Sequence, residues 1–300
     1  MAFYLGIDGG GTKTKFLLGD EHQLLAEATA AGSNILRSGE EAVRAALHAG
    51  VEEVRTNAGI AAAEIRRAVA GIAGSSNDAV RASLEGVLRE KISGEIVIVG
   101  DMVIAHHAAL DGAPGVLVNA GTGSIAYGRN AKNETARAGG WGFAISDEGS
   151  GHWIGRVAAA AAMRSFDAGV NEAFLHRLTA AVGAERPEEL AQFANSTANP
   201  DFAKVFPAVV SLADLGDQNA QEILKHAGEE LALLADTVLA RLFAADESVS
   251  NAATGGVFRA SPLVFESFRG ALRAHHPSST VSLSSADPAM GALLLARQGL

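Results

Sequence analysis

Three glycine-rich turns, each directly after a short apolar run, carry the residues whose types and spacing could do chemistry. The first reads Asp-Gly-Gly-Gly-Thr-Lys-Thr over residues 8–14, and its glycines would let backbone N–H groups approach a phosphate. Asp8 adds a hard oxygen ligand that suits Mg²⁺ bound through water, although a plain glycine-rich turn is the alternative. The residues predicted to bind phosphate here are Gly10, Gly11, Thr12 and Lys13.

The second and third turns could hold other parts of a nucleotide. The second reads Asn-Ala-Gly-Thr-Gly-Ser over residues 119–124, and the third reads Ala-Thr-Gly-Gly over residues 253–256. Their glycines would let a phosphate or a flat ring lie against the backbone, and a turn without function is again the alternative. The candidate residues are Gly121, Thr122, Gly123, Gly255 and Gly256.

Two common nucleotide-binding motifs do not fit these turns. A Walker A loop requires Lys where Thr12 stands, and a helix where residues 15–18 read as a strand. Residues 121–126 match the letters of the dinucleotide fingerprint, but residues 124–128 continue as a strand instead of opening a helix. The first two turns therefore favour phosphate binding between two strands.

The elements that must position these turns alternate between strand and helix. Apolar runs predict strands at 4–7, 15–18, 24–29, 68–72, 96–99, 116–118, 124–127, 252–254 and 280–283. Helical periodicity predicts helices at 40–56, 78–91, 221–243, 262–275 and 288–298, and residues 151–244 read as one long helical stretch. The first three strands are joined by short turns, which indicates an antiparallel meander. An α/β fold with a largely parallel sheet and a helical insertion is therefore expected.

Composition narrows the classes of function. Three hundred residues suggest two domains or one large one, and a net charge of −10 is the wrong sign for a general nucleic-acid binder. The absence of cysteine excludes disulfides, thiolate nucleophiles, cysteine-ligated zinc and iron–sulfur clusters. No apolar stretch reaches the ~18 residues that span a bilayer, and the start has no leader-like pattern, so we expect a cytoplasmic protein without a membrane partner.

The order of the three turns resembles the actin, sugar kinase and heat-shock ATPase superfamily. Within it, nearly the whole chain resembles the group that contains the N-acetylglucosamine kinases and the BadF/BadG/BcrA/BcrD ATPases. The most specific match is Gly-Gly-Trp-Gly at 139–142 followed by Asp-Glu-Gly-Ser at 147–150. The segments 32–34, 100–101 and 288–292 also fit.

The resemblance implies a fold and a domain division. The fold would be two ribonuclease-H-like (actin-like ATPase) domains with a central nucleotide and sugar cleft. The first domain would comprise residues 1–112 plus 286–300, and the second residues 113–285 with a helical insertion at about 151–244. ATP would contact Thr12, Thr122 and the third turn. The residues that the resemblance places against a sugar are Asn34, Asp101, Ser124, Gly140, Trp141, Gly142 and Asp147.

Asp101 is the candidate general base, because phosphorylation of a hydroxyl requires a base beside it. It follows an apolar strand and precedes a predicted helix at 102–110, at the edge of an α/β sheet where ligands collect. The alternative is that Asp101 only caps this helix. Asp147 and Glu148 could also be the carboxylate pair of a glycosidase, but sequence neighbours rarely flank one bond from opposite sides.

These observations predict an ATP-dependent kinase, using Mg²⁺, that phosphorylates the 6-hydroxyl of N-acetylglucosamine, and we expect a homodimer. Glucosamine or another amino sugar is the alternative substrate. An alternative of another class is a non-catalytic ATP-binding switch protein, which would leave residues 140–142 and Asp147 without a role. An activator ATPase that feeds electrons to a reductase would need a cysteine-ligated cluster, which this sequence cannot provide.

Overall fold

The computed structural model describes residues 2–75, 77–196 and 199–299, and the chain divides into two compact units. Unit 1 comprises Met1–Ala113 together with Ser285–Leu300, and unit 2 comprises Pro114–Ser284. Unit 1 is therefore built from both ends of the chain, whereas unit 2 is one continuous segment.

Ten strands and twelve α-helices lie within the described residues, together with 3₁₀ turns at Ala62–Glu64 and Phe202–Val205. The strands are β1 (Phe3–Gly9), β2 (Lys13–Gly19), β3 (Leu24–Ala31), β4 (Ile65–Ile72), β5 (Glu95–Val99), β6 (Gly115–Ala120), β7 (Ser124–Arg129), β8 (Thr135–Gly139), β9 (Ser250–Thr254) and β10 (Thr280–Leu283). The helices are α1 (Ile35–Ser38), α2 (Glu40–Ala58), α3 (Asp78–Arg89), α4 (Asp101–Ala109), α5 (Gly151–Ala168), α6 (Glu172–Ala181), α7 (Pro187–Ala194), α8 (Phe206–Asp214), α9 (Gln218–Leu242), α10 (Gly256–Ala260), α11 (Pro262–His275) and α12 (Pro288–Gln298).

The two units contain sheets of the same topology. In unit 1 the order is β3-β2-β1-β4-β5, with an antiparallel meander of β1 to β3 and with β4 and β5 parallel to β1. In unit 2 the order β8-β7-β6-β9-β10 repeats this arrangement, strand for strand and direction for direction. This is the ribonuclease-H-like arrangement, and the expected α/β fold with two such domains is confirmed.

The predicted helical insertion is also present. Between β8 and β9 the chain forms helices α5 to α9 and no strand in the described residues of this stretch. Side-chain caps mark where several long helices begin: Ser150 accepts the Trp153 N–H at the start of α5, and Asp217 accepts the Ala220 N–H at the start of α9. The apolar faces of these helices join the core of unit 2.

Each unit has its own hydrophobic core, with the central strands buried on both faces. Leu5 and Ile7 of β1 and Val116 and Val118 of β6 are fully buried. A strand covered on both sides reads as a continuous apolar run, which explains why these strands were visible in the sequence. Within the described residues, no helix is long and apolar enough to cross a membrane.

Candidate functional site

The first glycine turn connects β1 to β2 and is closed by a backbone hydrogen bond. The Gly10 N–H donates to the Lys13 carbonyl over 3.0 Å. Thr12 and Lys13 are exposed, and Lys13 forms no ion pair with any described residue. The hydroxyl and ammonium groups are therefore available to an anion at the tip of the turn.

The segment that follows β3 packs against this turn and begins with Gly32. A Cβ on Gly32 would lie only 2.5 Å from the Gly11 carbonyl oxygen, so the close approach requires glycine. The Ser33 N–H donates to the Gly10 carbonyl (3.0 Å), and the buried Thr14 hydroxyl donates to Ser33 Oγ (2.9 Å). These contacts hold Asn34, which is half-buried, next to the turn.

Asp8 is the next-to-last residue of β1, and its carboxyl receives no hydrogen bond from the described residues. The largest effect on this carboxyl is burial, and the negative charges of Asp101 and Asp287 act in the same direction. Together they raise the pKa of Asp8 to about 6, against the lowering effect of Lys13 and Lys15. The electrostatic coupling places three carboxyls around one edge of the unit 1 sheet.

These carboxyls fit a Mg²⁺ ion that takes its remaining ligands from water and phosphate. Carboxylate oxygens are the hard ligands that Mg²⁺ prefers, and it usually binds one or two of them while keeping several waters. Over residues 2–75, 77–196 and 199–299, no three His, Cys, Asp or Glu side chains are close enough to hold a metal ion without other ligands. Among the described residues, protein side chains alone therefore do not form a complete metal site at this edge of the sheet.

Asp101 follows β5 at the same edge of the sheet and is the first residue of α4. Gly100, not Asp101, occupies the helix-cap position, and the Asp101 carboxyl accepts the N–H of Met102 over 3.0 Å. Asp101 is therefore not the N-cap residue itself, although its carboxyl satisfies one N–H of the first helical turn. Asp101 is accessible to solvent, and desolvation by the protein around it raises the pKa of its carboxyl, while the bond from Met102 lowers it.

The sequence reasoning missed Asp287 and Lys15. Asp287 caps α12 by accepting the Ala289 N–H (3.0 Å), and it also accepts a hydrogen bond from Lys15 Nζ (2.8 Å). This pair links the last helix to β2 beside Asp8, since Asp8 and Lys15 are register partners. The Asp-Pro pair at 287–288 was a visible helix-start signal, but its closeness to Asp8 depends on a contact between distant parts of the chain.

In unit 2 the second glycine turn connects β6 to β7 and receives hydrogen bonds from the start of α5. The Gly121 N–H donates to the Gly123 carbonyl (2.8 Å), and the Gly151 N–H donates to the Gly121 carbonyl (2.8 Å). Thr122 is exposed at the tip, as Thr12 is in unit 1. Ser124 is buried, and its hydroxyl donates to the Glu148 carbonyl over 2.7 Å.

Asp147 is buried beneath the second turn and has a left-handed backbone, with φ of +69°. Its side chain is 7% exposed and accepts the backbone N–H groups of Ser124 and Gly142. Burial raises the pKa of the Asp147 carboxyl, and these two hydrogen bonds oppose the rise. A Cβ on Gly123 would lie 2.8 Å from Asp147 Oδ2, so the missing side chain makes room for the carboxyl.

The segment after β8, residues 139–146, is the most exposed part of the predicted sugar site. Gly139, Gly140 and Gly142 have φ of +72°, +71° and +97°, a backbone that favours glycine. Trp141 is 66% exposed, and the guanidinium carbon of Arg137 lies 3.9 Å from its ring centroid. The Trp141 ring and the backbone of the neighbouring glycines are therefore exposed next to each other.

A cavity of about 300 Å³ lies behind this segment, with Phe143, His152, Arg156 and Phe202 in its wall. The rings of Phe143 and His152 pack with centroids 4.6 Å apart and planes tilted by 36°. Burial is the main cause that lowers the pKa of His152, and the nearby charge of Arg156 adds to it. His152 is therefore neutral at pH 7, and it contributes ring packing and a polar nitrogen to this wall.

The third turn presses against the second. Gly255 has φ of +106°, and a Cβ there would lie 2.1 Å from the Ala120 carbonyl oxygen. Gly256 begins α10 and is exposed. Because β9 pairs in parallel with β6, both turns lie at the same edge of the unit 2 sheet.

Each unit therefore assembles its own share of the predicted residues. Unit 1 brings Asp8, the first turn, Asn34 and Asp101 to one sheet edge, and unit 2 brings the second and third turns together with the segment 139–147. Two ribonuclease-H-like units, each with a glycine-rich turn between antiparallel strands, give the chain the fold of the actin-like ATPase class.

Comparisons with known proteins narrow this class. The family model described as "BadF/BadG/BcrA/BcrD ATPase family" matches residues 5–296. The N-acetylmuramic acid/N-acetylglucosamine kinase of Clostridium acetobutylicum is 31% identical, covering 99% of both chains. The N-acetyl-D-glucosamine kinase of Dictyostelium discoideum is 28% identical over 98% of this chain and 97% of its own.

A solved structure agrees with these relatives. A Chromobacterium violaceum protein, proposed to be an N-acetylglucosamine kinase, superposes with a TM-score of 0.80 and 25% identity over 98% of this chain and 99% of its own. The chain belongs to the BadF/BadG/BcrA/BcrD ATPase family.

Proposed function

We propose that this protein is an ATP-dependent kinase that transfers the γ-phosphate of ATP to the 6-hydroxyl of N-acetylglucosamine. The observation that carries this proposal is the placement of Asp101: an accessible carboxyl at the carboxyl end of β5, electrostatically coupled to Asp8 at the end of β1. The two curated relatives matched along their full length are, by name, kinases of N-acetylated sugars.

The glycine turns would bind Mg-ATP. In unit 1, the backbone of Gly10 and Gly11 with the Thr12 hydroxyl and the Lys13 ammonium would contact phosphate oxygens. In unit 2, the turn with Gly121, Thr122 and Gly123 would do the same, and Gly255–Gly256 would lie against the adenosine. Mg²⁺ would neutralise phosphate charge, and Asp8 would hold it through water.

The sugar would be held by side chains and by accessible backbone. The proposed contacts are Asn34, Asp101, Ser124, Gly140, Trp141, Gly142 and Asp147. In this set, Ser124 and Asp147 already form internal hydrogen bonds, but a carboxylate has about four acceptor positions, and only two at Asp147 are occupied by backbone N–H groups.

Transfer requires a base for the proton of the 6-hydroxyl. Asp101 accepts this proton while the sugar oxygen forms a bond to the γ-phosphorus. The bond from that phosphorus to the oxygen bridging the β-phosphate breaks, and ADP leaves with its electron pair. The proton on Asp101 returns to solvent afterwards.

The variant Asp101→Asn tests the base. It keeps size and leaves one oxygen to accept the Met102 N–H, so we expect sugar affinity to change little and kcat to fall about 100-fold or more. Since desolvation raises the pKa of Asp101, wild-type kcat/KM should decline on the acid side above the ordinary range of an aspartate, and the contribution of Asp101 to this limb should be lost in the variant, which leaves that of Asp8. ADP release is measured with a coupled assay across pH.

Asp78→Asn is the matched control, because Asp78 is likewise the first residue of a helix in unit 1 but pairs with Arg81 at the surface. Its turnover should equal that of the wild type. Undiminished turnover in Asp101→Asn would remove Asp101 from the mechanism.

A substrate panel decides between the related activities. N-acetylglucosamine, glucosamine and N-acetylmuramic acid are compared for sugar-stimulated ADP release, and the phosphorylated position of each product is read by NMR. Preference for glucosamine would move the assignment to a glucosamine kinase. Nucleotide binding with no sugar-stimulated ADP release would instead favour an ATP-binding switch protein. The homodimer and the cytoplasmic location stay predictions.

A further inference from the structure

A set of hydrogen bonds within unit 2 joins the second glycine turn to the segment that carries Gly140–Gly142. We call the five groups involved the loop clasp: the Asp147 carboxyl, the Ser124 N–H, the Ser124 hydroxyl, the Gly142 N–H and the Glu148 carbonyl. The Asp147 carboxyl accepts both N–H groups, and the Ser124 hydroxyl donates to the Glu148 carbonyl over 2.7 Å. One carboxylate therefore holds two loops that have different proposed ligands.

The surroundings of the clasp are shaped for this one side chain. Gly123 has no Cβ at the place where one would lie 2.8 Å from Asp147 Oδ2 and 3.1 Å from Cγ. Asp147 also adopts a left-handed backbone, which is uncommon for a residue other than glycine and is strained unless its surroundings require it. The Asp147 carbonyl accepts the Ser150 N–H (3.1 Å) at the start of α5, which fixes the side chain further.

The clasp lies between the two proposed ligand contacts of unit 2. On one side, the Ser124 N–H is two residues from Thr122, a proposed ATP contact. On the other, Gly142 belongs to the proposed sugar contacts. A displacement of Gly142 when sugar binds would change the geometry of its bond to Asp147 and, through the same carboxylate, the bond to Ser124. Because one carboxylate interacts with both N–H groups, a shift of one changes the position of the acceptor that is left for the other.

We propose that Asp147 is a positioning residue that couples sugar binding at Gly140–Gly142 to nucleotide binding at Gly121–Gly123. This inference rests on the proposed function, because it requires that the protein bind both ligands. The coupling is the ratio of the nucleotide dissociation constants without and with sugar. It is separate from the sugar affinity that Asp147 would add by accepting a hydrogen bond from a sugar hydroxyl.

The experiment measures the dissociation constant of a non-hydrolysable ATP analogue with Mg²⁺, without sugar and with saturating N-acetylglucosamine. In the wild type, the sugar should tighten nucleotide binding about 5-fold or more. In Asp147→Asn, the side-chain NH₂ group would point at a backbone N–H, and two donors cannot form a hydrogen bond. The sugar should therefore tighten nucleotide binding less than about 2-fold. Nucleotide affinity without sugar should stay close to that of the wild type.

Gly123→Ala provides a second variant that leaves Asp147 in the sequence. Its Cβ would displace the carboxyl, so it should lose the coupling as Asp147→Asn does. Glu148→Gln is the control: it removes one neighbouring negative charge but keeps the backbone carbonyl that Ser124 contacts, and its coupling should equal that of the wild type. Hydrogen exchange of the Ser124 amide, expected to be slow in the wild type and fast in the first two variants, reports the clasp directly.

The outcomes are distinguishable. If Asp147→Asn weakens sugar binding but keeps the full tightening at saturating sugar, Asp147 acts only as a sugar acceptor and the coupling role is overturned. If the wild type binds both ligands without any tightening, the inference also fails, while the proposed kinase function stands. If the wild type binds nucleotide but no amino sugar, the proposed function itself fails.

Discussion

Asp8 carries a charge that the folded protein destabilises. Its pKa of about 6 lies well above the value of 3.8 for an unperturbed aspartate, because of burial and the charges of Asp101 and Asp287. An acid whose pKa is raised by folding binds its proton more tightly in the folded state. The folded state is therefore penalised as pH rises from about 4 to about 6, and the full penalty applies above that range. Two pKa units correspond to at most about 3 kcal/mol.

Asp8→Asn should therefore raise the melting temperature while it abolishes turnover. The gain should be several degrees at pH 8 in the presence of EDTA, and it should shrink towards zero at about pH 3, where the wild-type carboxyl is mostly protonated in both states. Thermal unfolding followed by circular dichroism at the two pH values measures this. A variant that is less stable than the wild type at pH 8 would contradict the argument.

Asp20→Asn gives a control of the opposite sign. Backbone N–H groups of Gln23 and His22 lower the pKa of Asp20, so its charge favours the folded state. This substitution should lower the melting temperature at pH 8.

At the scale of single residues, the sequence identified candidate functional side chains better than it identified the contacts that those side chains make. Asp8 and Asp101 could be proposed because acidic residues next to apolar strand ends are visible in the sequence. The Lys15–Asp287 bond could not, because it joins residues 272 positions apart. The internal hydrogen bonds of Asp147 were also invisible, since they depend on a left-handed backbone and on the space at Gly123.

At the scale of elements, a glycine in α12 allows the backbones of α4 and α12 to approach each other closely. A Cβ on Gly291 of α12 would lie 2.1 Å from the Ile104 carbonyl oxygen and 2.9 Å from Ala108 Cβ. Helix α4 begins with Asp101, and α12 is capped by Asp287, so this contact sets the distance between two of the carboxyls that surround Asp8.

Gly291→Ala should destabilise unit 1 by about 1 to 3 kcal/mol, the usual cost of overpacking, and should lower kcat because α4 moves. Gly86→Ala is its counterpart in α3 of the same unit, where an added Cβ has no neighbour within 4 Å. It should stabilise the protein by about 0.5 to 1 kcal/mol, since alanine is the better helix former. Urea unfolding of both variants tests the pair, and equal effects would contradict it.

Most elements were predictable because their periodicity was strong. Helices α11 and α12 and strand β10 have the predicted bounds, and most other elements differ by one to three residues at their ends. Strand β8 was missed. Its sequence, Thr-Ala-Arg-Ala-Gly, contains no large apolar side chain, and as an edge strand it is mostly exposed. Its pairing with β7 decides its structure, and a single-strand pattern does not contain that information.

At the scale of the whole molecule, unit 1 depends on the last part of the chain. Ala289, Ala292, Leu293 and Ala296 of α12 are fully buried in a cluster with residues of β1, β2, β4 and α4. The Arg297 side chain also donates to the carbonyls of Asp20 (2.7 Å) and Gln23 (2.8 Å). Among the described residues, the other helix in this cluster is α4, so α12 supplies about half of the helical cover on this face.

Deletion of residues 285–300 should therefore unfold unit 1 and leave unit 2 folded. The expected NMR spectrum of the truncated protein combines dispersed signals from residues 114–284 with collapsed signals from residues 1–113. A circular permutant that places 285–300 ahead of residue 1 through a glycine–serine linker should restore the dispersed spectrum of unit 1. A folded unit 1 in the truncated protein would contradict the prediction.

The division of unit 1 between the two ends of the chain also has a consequence for biosynthesis. On the ribosome, residues 114–284 emerge before the strand of unit 1 that carries Asp8 has received its covering helix, so unit 2 can fold while unit 1 is still incomplete. Many multidomain chains fold from the N-terminus onward, but here the first-made domain is the last to be finished. Asp287 reaches Lys15 only after all of unit 2 has been synthesised. A product that terminates within unit 2 would therefore lack a complete Asp8 edge, and catalytic competence would be acquired only after unit 2 has been made.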